Sequence, residues 1–112
     1  MQRHPRQFYP DHLAFIRTLP CLVCANDIET EAAHIRMSDW SIAKPMTGVG
    51  TKPDDYYTVP LCSEHHRQQH AHGNERKWWE RFNIDPVKVA LALYVASGDF
   101  ERGEQIARRG AR

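Results

Sequence analysis

"LCSEHHRQQH", residues 61–70, places one cysteine and three histidines within ten positions. Cys62 and His65 are separated by two residues, and so are Cys21 and Cys24 in "CLVC", residues 21–24. This spacing lets a turning chain aim two donors at one ion. Three thiolates and one imidazole form the closed tetrahedral set of a structural zinc site. A redox role for the C-x-x-C pair would leave Cys62 and His65 unexplained. The expected Zn²⁺ joins the first knuckle to the helix that carries His65, with both expected strands in between. Its role is folding, because a closed site leaves no position for substrate.

His66 and His70 remain. Residues four apart on a helix share a face, and His65 is turned about 100° from His66. The helix is therefore expected to divide its donors: Cys62 and His65 face the zinc, and His66 and His70 face something else. A histidine pair at i and i+4 is one way to hold a divalent metal. The alternative is two solvated histidines on an open face. His34, in "TEAAHIR" (residues 30–36), lies between the two zinc half-sites. Beside a metal it is a candidate general base, since its ordinary pKa is close to neutral. Arg36 is two residues on, hence on the same strand face. Its forked donors suit a phosphate.

The 112 residues are 41% hydrophobic and 26% charged, with a net charge of +1. One soluble domain over 1–112 is expected, with a core over about 20–72 and a helical tail over about 74–110. A chain this short buries a modest core, so a metal staple helps. The small net charge argues against tight sequence-independent binding to DNA by this chain alone. Arg3, His4 and Arg6 near the start, and Arg102, Arg108, Arg109 and Arg112 near the finish, are local candidates for phosphate contact. No apolar run is long enough for a membrane span, and "MQRHPRQFYP" lacks the apolar stretch of a signal peptide. A cytoplasmic location is expected, where disulfides are rare.

Punctuation along the chain predicts the elements. "PDHLAFIRTLP" reads as a helix capped by Asp11 and ended by Pro20. "TEAAHIR" and "YYTVPL" read as strands, joined by a long loop over 37–55. A helix runs from Ser63 through His70 and closes at Gly73, and Asn74 caps "ERKWWERF". Asp85–Pro86 starts an apolar helix that stops at Gly98, and "FERGEQIARR" forms the last. Trp78 and Trp79 point about 100° apart on their helix, so one is expected in the core and the other partly exposed. Lys44 and Lys52 in the long loop are candidates for approaching DNA.

Taken together, "CLVC", "AAHIR", "GVGTKPDD" and "VPLCSEHHRQQH" resemble an HNH endonuclease with an auxiliary zinc. The likeness is to small phage and prophage members, including the Ref-type recombination-enhancement nucleases, and covers Pro20 to His70. It implies an α+β fold with a ββα-metal core, a Cys₃His structural zinc and flanking helices. It implies that His34 is the general base, that Asp55 stands for the central residue that steadies the base, and that His66 and His70 bind the catalytic ion, Mg²⁺ or Mn²⁺. The substrate would be DNA, cut to leave 5′-phosphate ends. A recombination or phage protein that loads the DNA is a further implied partner. Two features depart from the family pattern. Ala33 stands where many members carry an Asp or His ligand, and Tyr57 stands where the usual Asn lies, with Asp54 a rival to Asp55. Two other classes stay open: a non-catalytic zinc-stapled DNA-binding module, and a phage or host interaction module that works through its helical tail.

Overall fold

The computed structural model describes residues 8–39, 44 and 54–110. It is an α+β fold in the order α1 (Pro10–Arg17), β1 (Thr30–His34), β2 (Thr58–Cys62), α2 (Ser63–His72), α3 (Glu75–Glu80), α4 (Pro86–Val95) and α5 (Phe100–Gly110). The two strands pair antiparallel, with Thr30 opposite Cys62 and His34 opposite Thr58. This register places His34 at one end of the ribbon and the Cys62 half-site at the other. The arginines and His4 of residues 1–7, Lys52 and Arg112 lie outside the described residues, as does most of the 37–55 loop.

Alternation along β1 gives the ribbon two faces. Ala33 and Ile35 are buried with Val59, Leu61, both tryptophans, Val87 and Ala90. Ala32 packs from the other face against Phe15, Ile16, Leu19, Leu93 and Ile106. The ribbon is thus covered by α3 with Val87 and Ala90 of α4 on one side, and by α1 with Leu93 of α4 and Ile106 of α5 on the other. The apolar helix after Asp85–Pro86 is core as expected, with Val87, Ala90 and Leu93 buried. Asp85 caps it by accepting from the Lys88 N–H, and Asn74 caps α3 by accepting from the Lys77 N–H. Gly73 ends α2 at φ +80°, the left-handed conformation that glycine adopts without a Cβ clash.

Several boundaries differ from expectation. The α1 N-cap is Tyr9, with no side-chain cap; Asp11 sits inside the first turn, and Pro10 supplies the start. The second strand starts at Thr58, because residues 54–57 turn, with the Tyr57 N–H donating to the Asp54 carbonyl at 3.0 Å. Both tryptophans are buried, each 1% exposed, because both sit in one cluster with Ala33, Ile35, Val59, Leu61, Val87 and Ala90; Trp78 also meets Phe82 and Trp79 edge-on, and Trp79 aims its ring nitrogen at Glu75. Lys44 is 2% exposed and so does not reach toward DNA. Its ammonium donates to the Met37 carbonyl at 2.6 Å and lies over the Tyr57 ring.

Candidate metal centre and histidine pair

The four expected zinc donors meet. Cys21, Cys24, Cys62 and His65 hold their ligand atoms within 4.8 Å of one another, close enough to bind a metal such as zinc. Zn–S bonds of about 2.3 Å in a tetrahedron place two sulfurs about 3.8 Å apart. The Cys24 and Cys62 sulfurs are 3.9 Å apart. His65 Nδ1 lies 3.2 Å from Cys62 Sγ and 3.8 Å from Cys21 Sγ. The donor set therefore fits zinc in both chemistry and spacing.

The knuckle owes its shape to backbone bonds. The Ala25 N–H donates to the Cys21 carbonyl, the Cys21 N–H to the Asn26 carbonyl, and the Leu22 N–H to the Pro60 carbonyl, each at 2.8 Å. The last bond ties the knuckle to β2, next to Cys62. Ala25 closes the turn at φ +61°, a left-handed conformation. Desolvation pushes the Cys24 thiol up to about 11, against a pull from the Asn26 backbone; the Cys21 and Cys62 thiols add to the rise. A binding ion displaces that proton.

His66 and His70 leave the zinc donors, as the helical phase requires. Their Nε2 atoms face each other at 3.1 Å. That is a hydrogen-bond distance between the two rings; it also matches the about 3.0 Å between two nitrogens held at about 2.1 Å in neighbouring octahedral positions. Glu31, on β1, approaches His66 Nδ1 at 2.6 Å. A carboxylate accepts a proton there, which leaves His66 Nε2 as the bare donor toward His70. Glu31 escaped the sequence reading because its partner is 35 positions away. Its only linear signal is that it lies two residues before Ala33, on the same strand face. Burial, with the charges of His66 and Arg36, lowers the His70 pKa, while Glu75 raises it.

His34 and Asp55 also meet. His34 Nε2 lies 3.0 Å from Asp55 Oδ1. Asp55 is 1% exposed, and its Oδ2 accepts from the Tyr9 N–H at 2.8 Å. Its backbone carbonyl accepts from Thr58 Oγ1, so the turn is fixed at both ends of the residue. Asp54 instead bonds Tyr56, whose phenol pKa is raised first by burial and then by that carboxylate. A carboxylate facing Nε2 favours the tautomer with its proton there, in which Nδ1 bears the lone pair.

Arg36 follows β1, and its backbone N–H donates to Glu75 Oε1 at 3.0 Å. The same oxygen accepts from the Met37 N–H at 2.8 Å, and Glu75 Oε2 accepts from Gln69 at 2.6 Å. Glu75, another long-range partner absent from the sequence reading, thereby joins the end of β1 to α2 and α3. Among the described residues, no helix is long and apolar enough to cross a membrane.

Residues 2–96, most of the chain, match the family model described as "Protein of unknown function (DUF968)", and the chain belongs to that family. No curated protein and no solved structure matches it.

Proposed function

We propose that this DUF968 chain is a metal-dependent DNA endonuclease of the HNH type. Its β1–β2–α2 unit would be a ββα-metal core, and the Cys₃His set its structural zinc site. The observation that carries the reading is the His34–Asp55 pair, in which a buried carboxylate orients a strand-end imidazole. The same strand carries Glu31, which holds His66 beside His70. At about 3.4 Å per residue, Glu31 and His34 start about 10 Å apart. Alternation points the two side chains to opposite faces of β1, so a phosphodiester would lie past the strand end to meet both groups.

In this reading His34 Nδ1 takes the proton of the attacking water. The water oxygen bonds to phosphorus as the bond to the 3′-oxygen breaks, and that oxygen leaves with a proton from solvent. Asp55 holds the imidazole in the productive tautomer and steadies it once it is charged. Arg36 offers a guanidinium to the phosphate. His66 and His70 would hold Mg²⁺ or Mn²⁺, which supplies charge opposite the phosphate and the departing oxygen. Glu31 adds a carboxylate on the strand face where Ala33 brings no ligand. The weak net charge of +1 favours delivery of the DNA by a recombination or phage partner.

Ala33 favours a second reading, a zinc-stapled DNA-binding module without catalysis. Supercoiled plasmid incubated with Mg²⁺ or Mn²⁺ separates the two. The wild type is expected to nick or linearise the plasmid, and a His34→Ala variant that keeps its zinc is not. Equal cutting by both would remove His34 as the base. No cutting by either, on double- or single-stranded DNA, would overturn the nuclease and leave the binding module.

A further inference from the structure

A groove of about 560 Å³ opens between the α3–α4 turn, α4 and α5, on elements that the proposed nuclease chemistry does not use. Its floor is apolar, with Ile84, Val89 and Ile106. Its rim carries Lys88, Arg102 and Arg109. One acid, Asp85, also lines it. That carboxylate already caps α4, accepting from the Lys88 N–H at 3.2 Å. Among the described residues, three cations and one acid thus line the groove around apolar side chains, with Arg102 also donating to Gln105 at 3.4 Å, within a chain whose net charge is only +1.

We propose that this groove docks an acidic peptide segment of a partner protein, with an apolar side chain seated on Ile84, Val89 and Ile106 and flanking carboxylates on Lys88, Arg102 and Arg109. Charge complementarity sets the sign of the partner. The floor sets its class. A sugar–phosphate backbone would satisfy the rim and leave the apolar floor wet, whereas an acidic peptide with Leu or Phe between its carboxylates covers both. Arg102 and Arg109 are seven residues apart on α5, two helical turns or about 10.5 Å, so they reach carboxylates on either side of one anchoring residue. An apolar anchor ringed by charge-assisted bonds is the arrangement that concentrates binding energy in protein interfaces.

The test uses the full zinc-loaded chain and fluorescein-labelled synthetic peptides. One peptide alternates Asp and Glu with Leu and Phe, and a second replaces every Leu and Phe with Ser. The proposal predicts saturable, salt-sensitive binding of the first peptide. It also predicts at least tenfold weaker binding of the second, and at least tenfold weaker binding of the first to a Lys88→Glu, Arg102→Glu double variant. Both residues are exposed, so the variant is expected to keep the wild-type melting curve. Binding that ignores the charge reversal or the loss of the apolar residues would overturn the proposal. So would no binding at millimolar peptide, or a short DNA duplex whose binding the double variant abolishes and which displaces the peptide. None of these results depends on whether the chain cuts DNA.

Discussion

Asp55 is the residue on which the chemistry of the proposed site turns. Its two oxygens are taken by the His34 ring and the Tyr9 backbone, and it is sealed from water. As a positioning residue it would act only through His34. Replacing it with Ala is expected to lower kcat by roughly 100-fold or more, with KM little changed. Asp55→Asn, which keeps an acceptor oxygen, should recover part of the loss, and the acid limb of the pH profile should fall with the lost negative charge. A purely structural residue would not move that limb. The sequence could not choose between Asp54 and Asp55, because neighbours in a turn point to different places, and which one finds His34 depends on the 54–57 turn. The zinc donors were legible because each half-site is a local C-x-x-C or C-x-x-H spacing. Glu31 and Glu75 were not, because Glu31 meets His66 across 35 positions and Glu75 meets the Arg36 and Met37 backbone across 39 and 38, with no local pattern to mark either pairing.

Among the elements, α5 shows how closely the helices are fitted. A Cβ on Gly103 would stand 2.6 Å from Phe15 Cζ and 3.0 Å from Leu19 Cδ2, both buried parts of α1 and its exit. Gly103→Leu is therefore expected to destabilise the fold by about 2–3 kcal/mol through overpacking. A lower denaturant midpoint at unchanged slope would be the signature. Helix limits were largely readable from Gly73, Asn74 and Asp85–Pro86, since caps and proline act within a turn of their own position. The burial of both tryptophans was not readable. It requires the strand pair and α4 to close over α3, bringing Ala33, Ile35, Val59, Leu61, Val87 and Ala90 around both rings. α1 carries a buried titratable group, His12, whose Nδ1 meets Ser97 Oγ at 2.8 Å across from α4. Burial lowers its pKa below the ordinary 6.5, with Asp55 pulling partly the other way. The unfolded chain then takes up the proton first as pH falls. The stability tied to neutral His12 is complete above about pH 6.5 and is lost as pH drops through the folded value. Unfolding midpoints of zinc-saturated wild type should fall faster below pH 6.5 than those of a His12→Phe variant.

On the scale of the whole molecule, the Cys₃His set joins a knuckle before β1 to the residues that end β2 and begin α2. Cys24 and Cys62 lie 38 positions apart, with both strands inside the loop they close. Binding of a structural zinc contributes on the order of 10–16 kcal/mol, as much as the about 5–15 kcal/mol by which a domain is stable at all. Chelation is therefore expected to unfold the chain at room temperature, read as loss of helical circular dichroism that added zinc restores. An apo chain that melts like the zinc-loaded one would refute this role. The α+β class and the order of elements were readable from the sequence. The groove between α4 and α5 was not, because its three cations come together only when the helical tail folds back.

The central claim is that α2 serves two ions with two jobs, one closing the fold and one attending His34. Anomalous diffraction from zinc-loaded crystals soaked in Mn²⁺, with data at the absorption edges of both metals, tests it most directly. The account predicts a zinc peak among Cys21, Cys24, Cys62 and His65, and a separate manganese peak bonded to His66 Nε2 and His70 Nε2. A zinc peak alone, with no manganese at the histidine pair in crystals that also hold DNA, would contradict it.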